Sequence, residues 1–313
     1  VRIRAHDRRA PGRLVRICAR AWFAFDARRG DWRCDDERYQ RAWQTSVYTA
    51  RLCTRSDTYW DGIKRDRVGW FGDARVIQET TDAVFADPRP ALGMLATLPM
   101  DRWVTGIPGY SLDALAMFRQ LLLFHGVAGA GRRAIWVRIQ AFLDWVVRTQ
   151  LNREGFIIRD PKAHFFGDIA FVDWSRMPIG GRFEELSWLQ CQLLSAWRQA
   201  AEIAGWMNDG SAAIRYARRA EVLAGAIRRR FWRPGVGLVH TLNRTIPRWR
   251  HLRVLDSLGG ADYRRDWWQR PGCGPSGPSR HSMAWAVQAG LIAAPAERAL
   301  ALEVFQSTRI PRL

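Results

Sequence analysis

Residues 61–73 read Asp-Gly-Ile-Lys-Arg-Asp-Arg-Val-Gly-Trp-Phe-Gly-Asp, a dense run of side chains able to do acid–base chemistry. Three carboxylates (Asp61, Asp66, Asp73) alternate with three cations (Lys64, Arg65, Arg67), and three glycines let the backbone turn tightly. Carboxylates crowded into one cleft repel one another, which raises the pKa of one of them, while a guanidinium such as Arg65 holds another ionised. Cleavage of a glycosidic bond needs that division of labour: one carboxyl stays protonated near neutral pH to donate to the leaving oxygen. Trp70 adds a flat apolar surface on which a sugar ring can lie. The same residues also have a plainly structural reading, in which Asp73 caps the helix that follows and the Arg–Asp pairs are surface ion pairs.

Elsewhere the candidates are sparser. Glu184 and Glu185 open a helix after a Gly-rich loop, where they either face a cleft or simply complement the helix dipole. His281 follows a Gly/Pro-rich loop at another helix start, a position from which it can reach a substrate. Ser276 and Ser279 lie near His281, but proximity in sequence is no triad, because triad partners meet in space. The five cysteines are odd in number and widely spaced, with no CxxC pair, which argues against both a disulfide framework and a zinc site. No phosphate loop and no metal-ligand cluster stands out, so neither cofactor nor metal is expected.

The elements that must position these groups are helical and come in pairs. Apolar periodicity predicts helices over 35–52 and 73–85, 111–125 and 133–149, 184–204 and 211–232, and 282–293 and 296–305. In the first of these, Tyr39, Trp43, Val47 and Ala50 fall near one face. Strand signals are few: 14–25, 155–158 and 237–240. Antiparallel helix pairs in series predict an all-α barrel of α-hairpins, with long loops over 56–73, 87–110, 152–183 and 233–281 gathered at one mouth. A helical solenoid would show a fixed repeat period, and none is found.

With 313 residues, 48% of them hydrophobic, the chain can bury a large core, and disorder is not the default. No window reaches 18 uninterrupted apolar residues, so no membrane span is expected. The first twenty residues hold no apolar h-region, which favours the cytoplasm, although a chain beginning with Val leaves an upstream leader open. The formal charge of +19 rests almost wholly on arginine, since only Lys64 and Lys162 are lysines among the 49 basic residues. Those arginines are scattered over every segment. Scatter fits the coding bias of a GC-rich genome better than the concentrated stripe of a nucleic-acid binder, so no specific nucleic-acid partner is expected.

The run over 61–73 resembles the active-site loop of the bacterial α-L-rhamnosidases, in the six-hairpin glycosidase class, and this motif is highly specific. Weaker likenesses follow in order: residues 30–36 with Trp43 and residues 48–53 resemble the entry into the first barrel helix. Residues 107–112 resemble a Pro-Asp-Tyr-Ser-Leu stretch, residues 171–174 an Asp-Trp loop, and residues 274–281 the loop before a later helix. The resemblance implies an (α/α)6 six-hairpin toroid over 31–313, incomplete at the C-terminus, with residues 1–30 as the β remnant of a preceding domain. It implies inverting hydrolysis of terminal α-L-rhamnosides, with a rhamnose-containing oligosaccharide or glycoside as the partner. Asp66 stands where the family's general acid stands, an Asp in place of the usual Glu. Asp61 and Asp73 match acidic residues that grip the sugar hydroxyls and tune that acid. Arg65 and Trp70 match positions lining the sugar subsite, and Asp173 and Trp174 match the far wall, though a core tryptophan explains Trp174 nearly as well.

An inverting enzyme also needs a second carboxylate as the base that activates water. In the family this is a Glu beside a Trp on a later barrel loop, and no such segment occurs before Leu313. Four helix pairs also fall short of six. The chain is therefore read as part of a longer barrel, and the alternative to a working hydrolase is a sugar-binding remnant that keeps the pocket and lacks the base.

Overall fold

The structure, a computed structural model, describes residues 23–25, 27–63, 67–158, 183–242 and 278–306. Nine helices stand out among these: α1 (Glu37–Leu52), α2 (Phe71–Val84), α3 (Arg89–Leu95), α4 (Pro108–His125), α5 (Ala130–Trp145), α6 (Ser187–Trp206), α7 (Gly210–Phe231), α8 (Arg280–Gln288) and α9 (Pro295–Gln306). A two-residue hairpin pairs β1 (Trp232–Arg233) with β2 (Gly237–Leu238) in antiparallel register. Helices α2, α4, α6 and α8 pack on one another in series, while α1 backs α2, α7 backs α6 and α9 backs α8. Helix α3 lies against both α4 and α5. This is the all-α class that the sequence predicts; of the four expected pairs, the one over 111–125 and 133–149 does not pack as a pair, because α3 lies between α4 and α5. No described helix is long and apolar enough to cross a membrane.

The layer is held by one large core running from Tyr59 to Val304. Helix α6 contributes most to it, burying both its flanks, and α4 is buried along nearly its whole length. Each fully buried Leu or Phe contributes roughly 1.5–3 kcal/mol. Trp197 of α6 stacks on Tyr216 of α7 with ring centroids 5.6 Å apart, and Trp136 of α5 meets Tyr216 edge-on at 6.2 Å. A smaller cluster, Phe25, Val47, Val84 and Phe85, seals the end of the first hairpin. Tyr39 is not part of it: α1 buries only Val47 and Ala50, and Tyr39 stands exposed, because the stripe facing α2 is narrower than the apolar pattern suggests.

Several boundaries differ from the sequence reading, and proline explains two of them. Residues 87–110 contain α3 where a loop is expected, because Pro90 sits in the first turn, where its missing N–H costs nothing. Helix α4 likewise starts at Pro108, three residues before the expected Ser111. Helix α2 starts at Phe71, so Asp73 lies in the first turn and Trp70 takes the N-cap position that was expected of Asp73. At its far end α5 passes into a π-helical turn, Val146–Gln150. Residues 155–158 form an isolated bridge between Leu151 and Ile157, not a strand. The strand expected over 14–25 and most of the proposed β remnant, 1–30, lie outside the described residues.

Candidate active site

Two glycines let the helices of the central layer crowd together at one end. A Cβ on Gly72 would lie 2.4 Å from Cε1 of Tyr110, so only glycine there allows the tyrosine ring to lie across the first turn of α2. A Cβ on Gly109 would lie 2.8 Å from Oε1 of Gln192, whose Nε2 donates to the Gly109 carbonyl at 2.9 Å. These contacts tie the N-terminal ends of α2 and α4 to the first turns of α6.

At this end opens a cleft of about 420 Å3. Thr49 and Cys53 from the end of α1, Asp61 from the loop and Gly72, Asp73, Val76 and Ile77 of α2 form one side. Gly109, Tyr110 and Asp113 of α4, Trp188 and Gln192 of α6, and His281 and Trp285 of α8 form the other. The loop reaches the cleft by folding back on itself. The Trp60 N–H donates to the Cys53 carbonyl at 2.7 Å, and the Asp61 N–H donates to the Val68 carbonyl at 3.1 Å. With 61 and 68 thus joined, Asp61 and Asp73, twelve positions apart, both line the cleft.

Asp113 enters the cleft as one half of an ion pair whose other half, Arg75, is not among the lining residues. The Arg75 guanidinium donates from Nη1 to Oδ1 of Asp113 at 3.2 Å and lies 5.8 Å from the Trp285 ring centre. Gln192 Nε2 also approaches Oδ1 of Asp113, at 3.4 Å. Burial pushes the Asp113 carboxyl up to about 6; Arg75 and Gln192 pull against that shift, and Asp73 adds to it. Opposite, the His281 ring sits between Trp188, at 5.3 Å, and Trp285, at 6.4 Å. Burial pushes His281 down to about 4, so it is neutral at physiological pH. Neither Nε2 of His281 nor the indole Nε1 of Trp188 has a hydrogen-bond partner, although both are buried. Beneath them His240 Nδ1 meets the hydroxyls of Ser279, at 2.9 Å, and Ser282, at 3.0 Å. Burial, with His281 as a neighbour, pushes His240 down to about 3.

Of the residues singled out from sequence, the cleft unites Asp61, Asp73 and His281. Trp70 stands behind it, meeting the Tyr110 ring edge-on at 6.1 Å. Glu184 lies in the short turn Phe183–Glu185 ahead of α6 and is not among the lining residues. Asp66, Arg65, Asp173 and Trp174 lie outside the described residues. Sequence reasoning missed Arg75, Asp113, Trp188, Gln192 and Trp285. The signal for Asp113 was present, an acidic residue within an otherwise mostly apolar stretch of helix. Among the described residues no three His, Cys, Asp or Glu side chains gather as a metal site.

No family model matches the chain, and no curated protein matches it by sequence. Solved structures do. A rhamnosidase from Klebsiella oxytoca with rhamnose bound superposes with a TM-score of 0.64 at 18% identity, covering 91% of this chain and 50% of that one. The GH78 family rhamnosidase of Bacillus sp. GL1 superposes with a TM-score of 0.65 at 19% identity, covering 90% of this chain and 27% of that one. The chain thus spans half the length of the first relative and about a quarter of the second. At such identities the likeness establishes fold: the chain has a rhamnosidase-like helical fold.

Proposed function

We propose that this chain carries the acid side of a glycoside hydrolase site for terminal α-L-rhamnosides, built on part of an (α/α)6 six-hairpin barrel. The observation that carries the reading is the meeting of Asp61 and Asp73, the two ends of the 61–73 motif, in one aromatic-walled cleft. The solved relative with bound rhamnose has the same fold and supports that choice of sugar. In this reading Asp66, between the two, donates its proton to the leaving glycosidic oxygen, and Arg65 lies beside it in the sugar subsite. Asp61 and Asp73 grip ring hydroxyls and, as anions, keep the acid protonated. Asp173 and Trp174 form the far wall. The route is inverting, so a base must lie about 6.5–9.5 Å from the acid to activate water.

A second reading is a sugar-binding protein without turnover. One experiment separates them: release of p-nitrophenol from p-nitrophenyl α-L-rhamnoside by the wild type and by Asp66→Asn. Turnover abolished by the substitution supports the hydrolase, and the first-formed anomer, read by NMR, reports inversion. Rhamnose binding without turnover supports the second reading. No turnover and no binding sinks both.

A further inference from the structure

Asp113 is an unusual occupant for α4. It follows Pro-Gly-Tyr-Ser-Leu and precedes Ala-Leu-Ala-Met-Phe, on a helix otherwise committed to the core. A buried carboxylate is tolerated where donors satisfy it. Here both donors, Arg75 and Gln192, converge on Oδ1. Oδ2 receives no hydrogen bond from any described residue, yet it is not sealed in the core, because the side chain lines the cleft and keeps 10% of its surface exposed. One oxygen is clamped and the other opens on the cavity. Structural ion pairing alone would be better served by a two-oxygen fork, the geometry arginine is shaped for.

The surroundings specify what Oδ2 meets. Trp188 contributes a buried indole N–H with no acceptor, and His281 a ring nitrogen with no partner, both in the same cleft. Val76, Ile77, Tyr110 and Trp285 supply apolar wall. A ligand that completes this set donates to a carboxylate, accepts from an indole and presents C–H surface to aromatic rings. A neutral polyhydroxylated ring does all three, because each hydroxyl both donates and accepts.

We propose that Asp113 is a substrate-contacting residue whose Oδ2 accepts a hydrogen bond from a ring hydroxyl of the bound sugar, with Arg75 and Gln192 fixing its orientation through Oδ1. The inference rests on the rhamnoside reading of the cleft and adds to the motif over 61–73 a specificity residue outside it. The contact needs Asp113 ionised. The charged or titratable groups around it are Arg75 and Asp73 on α2, Asp61 on the loop, Cys53 beyond the end of α1, Tyr110 on its own helix and His281 on α8, while α6 presents the neutral Gln192. Affinity therefore falls as pH drops through about 6.

The test is titration of the full chain with L-rhamnose, followed by tryptophan fluorescence, for wild type, Asp113→Asn and Gln192→Leu from pH 7.5 to 5, with thermal melts alongside. Asp113→Asn preserves shape, and its amide either turns its donor to the cleft or leaves Arg75 facing a donor. It is expected to weaken binding about tenfold or more, the usual loss for a hydrogen bond to a charged acceptor, to abolish the pH dependence near 6, and to melt no lower than wild type. Gln192→Leu, which removes one donor from Oδ1, is expected to move the pH midpoint of binding upward, and it serves as the check if Asp113→Asn does not fold. Wild-type affinity retained by Asp113→Asn, or a midpoint unmoved by Gln192→Leu, overturns the assignment. A folded wild type that binds neither L-rhamnose nor its p-nitrophenyl glycoside overturns the rhamnoside reading itself, and this inference with it.

Discussion

At Gly72 a single added methyl group would lie 2.4 Å from Cε1 and 2.7 Å from Cδ1 of Tyr110, distances no real Cβ contact shows. The ring cannot simply swing aside, because Trp70 meets it edge-on at 6.1 Å. Gly72→Ala should therefore cost about 1–3 kcal/mol through overpacking, and it should displace a cleft-lining ring. Urea denaturation together with rhamnose titration measures both effects. A double-mutant cycle with Tyr110→Ala should show strong coupling, since removing the ring removes the clash. Additive effects, or an unchanged midpoint in Gly72→Ala, would refute the account. At this scale the sequence was legible where residue types cluster. Asp61 and Asp73 stand in one motif, and both line the cleft. Asp113, Gln192 and Trp188 were not, because they lie on α4 and α6, helices whose pattern reads as core, and only the packing of those two helices turns them to the same cavity.

The elements tell a similar story about punctuation. Helix α7 was readable almost to the residue, from Gly210 to Phe231, because Asn208-Asp209-Gly210 marks its start and its apolar stripe is clean. Prolines in the first turn open α3, within a stretch read as loop, and α4, three residues ahead of its predicted start. Gly72 read as loop hid the true start of α2 at Phe71, whose side chain is 1% exposed and anchors the first turn in the core. Asp209 offers a quantitative check. Its Oδ1 accepts from the Ala212 N–H at 3.1 Å, and its Oδ2 accepts from Gln140 Nε2 of α5 at 2.8 Å. It thus caps α7 and ties it to α5. Asp209→Ala should cost about 1 kcal/mol, and Asp209→Asn distinctly less, because asparagine caps nearly as well. Equal losses in the two variants, read as shifts of the denaturation midpoint at constant slope, would show that charge and not capping is what matters there.

For the whole molecule the decisive variable is pH, and its sign follows from four buried groups that pull in opposite directions. His240 and His281, both ordinarily near 6.5, are held down to about 3 and about 4 by burial. Above 6.5 both are neutral folded or unfolded and stability is indifferent to them. As pH falls below 6.5 the unfolded chain takes up protons that the folded chain refuses, and each histidine costs up to about 1.4 kcal/mol per pH unit until its folded value is reached. Asp113 works the other way. Its carboxyl, ordinarily near 3.8, is pushed up to about 6, so the folded state bears its penalty above 6 and is relieved as pH falls from 6 toward 3.8. Asp82, raised by burial, adds relief of the same sign, softened by its 3.0 Å contact with His125. Between pH 6 and 4 two histidines oppose the relief from Asp113 and Asp82, and carboxylates held low by arginine, such as Asp87 and Glu297, act with the histidines, so the unfolded chain binds more protons and stability falls. The expected melt is highest near neutrality and declines steadily from pH 6 to 4. Asp113→Asn should steepen that decline by removing the relief, and His281→Gln should flatten it by removing one of the two refused protons. A melting temperature that is level or rising from pH 6.5 to 4.5 would mean the raised carboxylates outweigh the histidines, and the seam where His240 joins Ser279 and Ser282 of the α8 start would not be the acid-sensitive point of the fold.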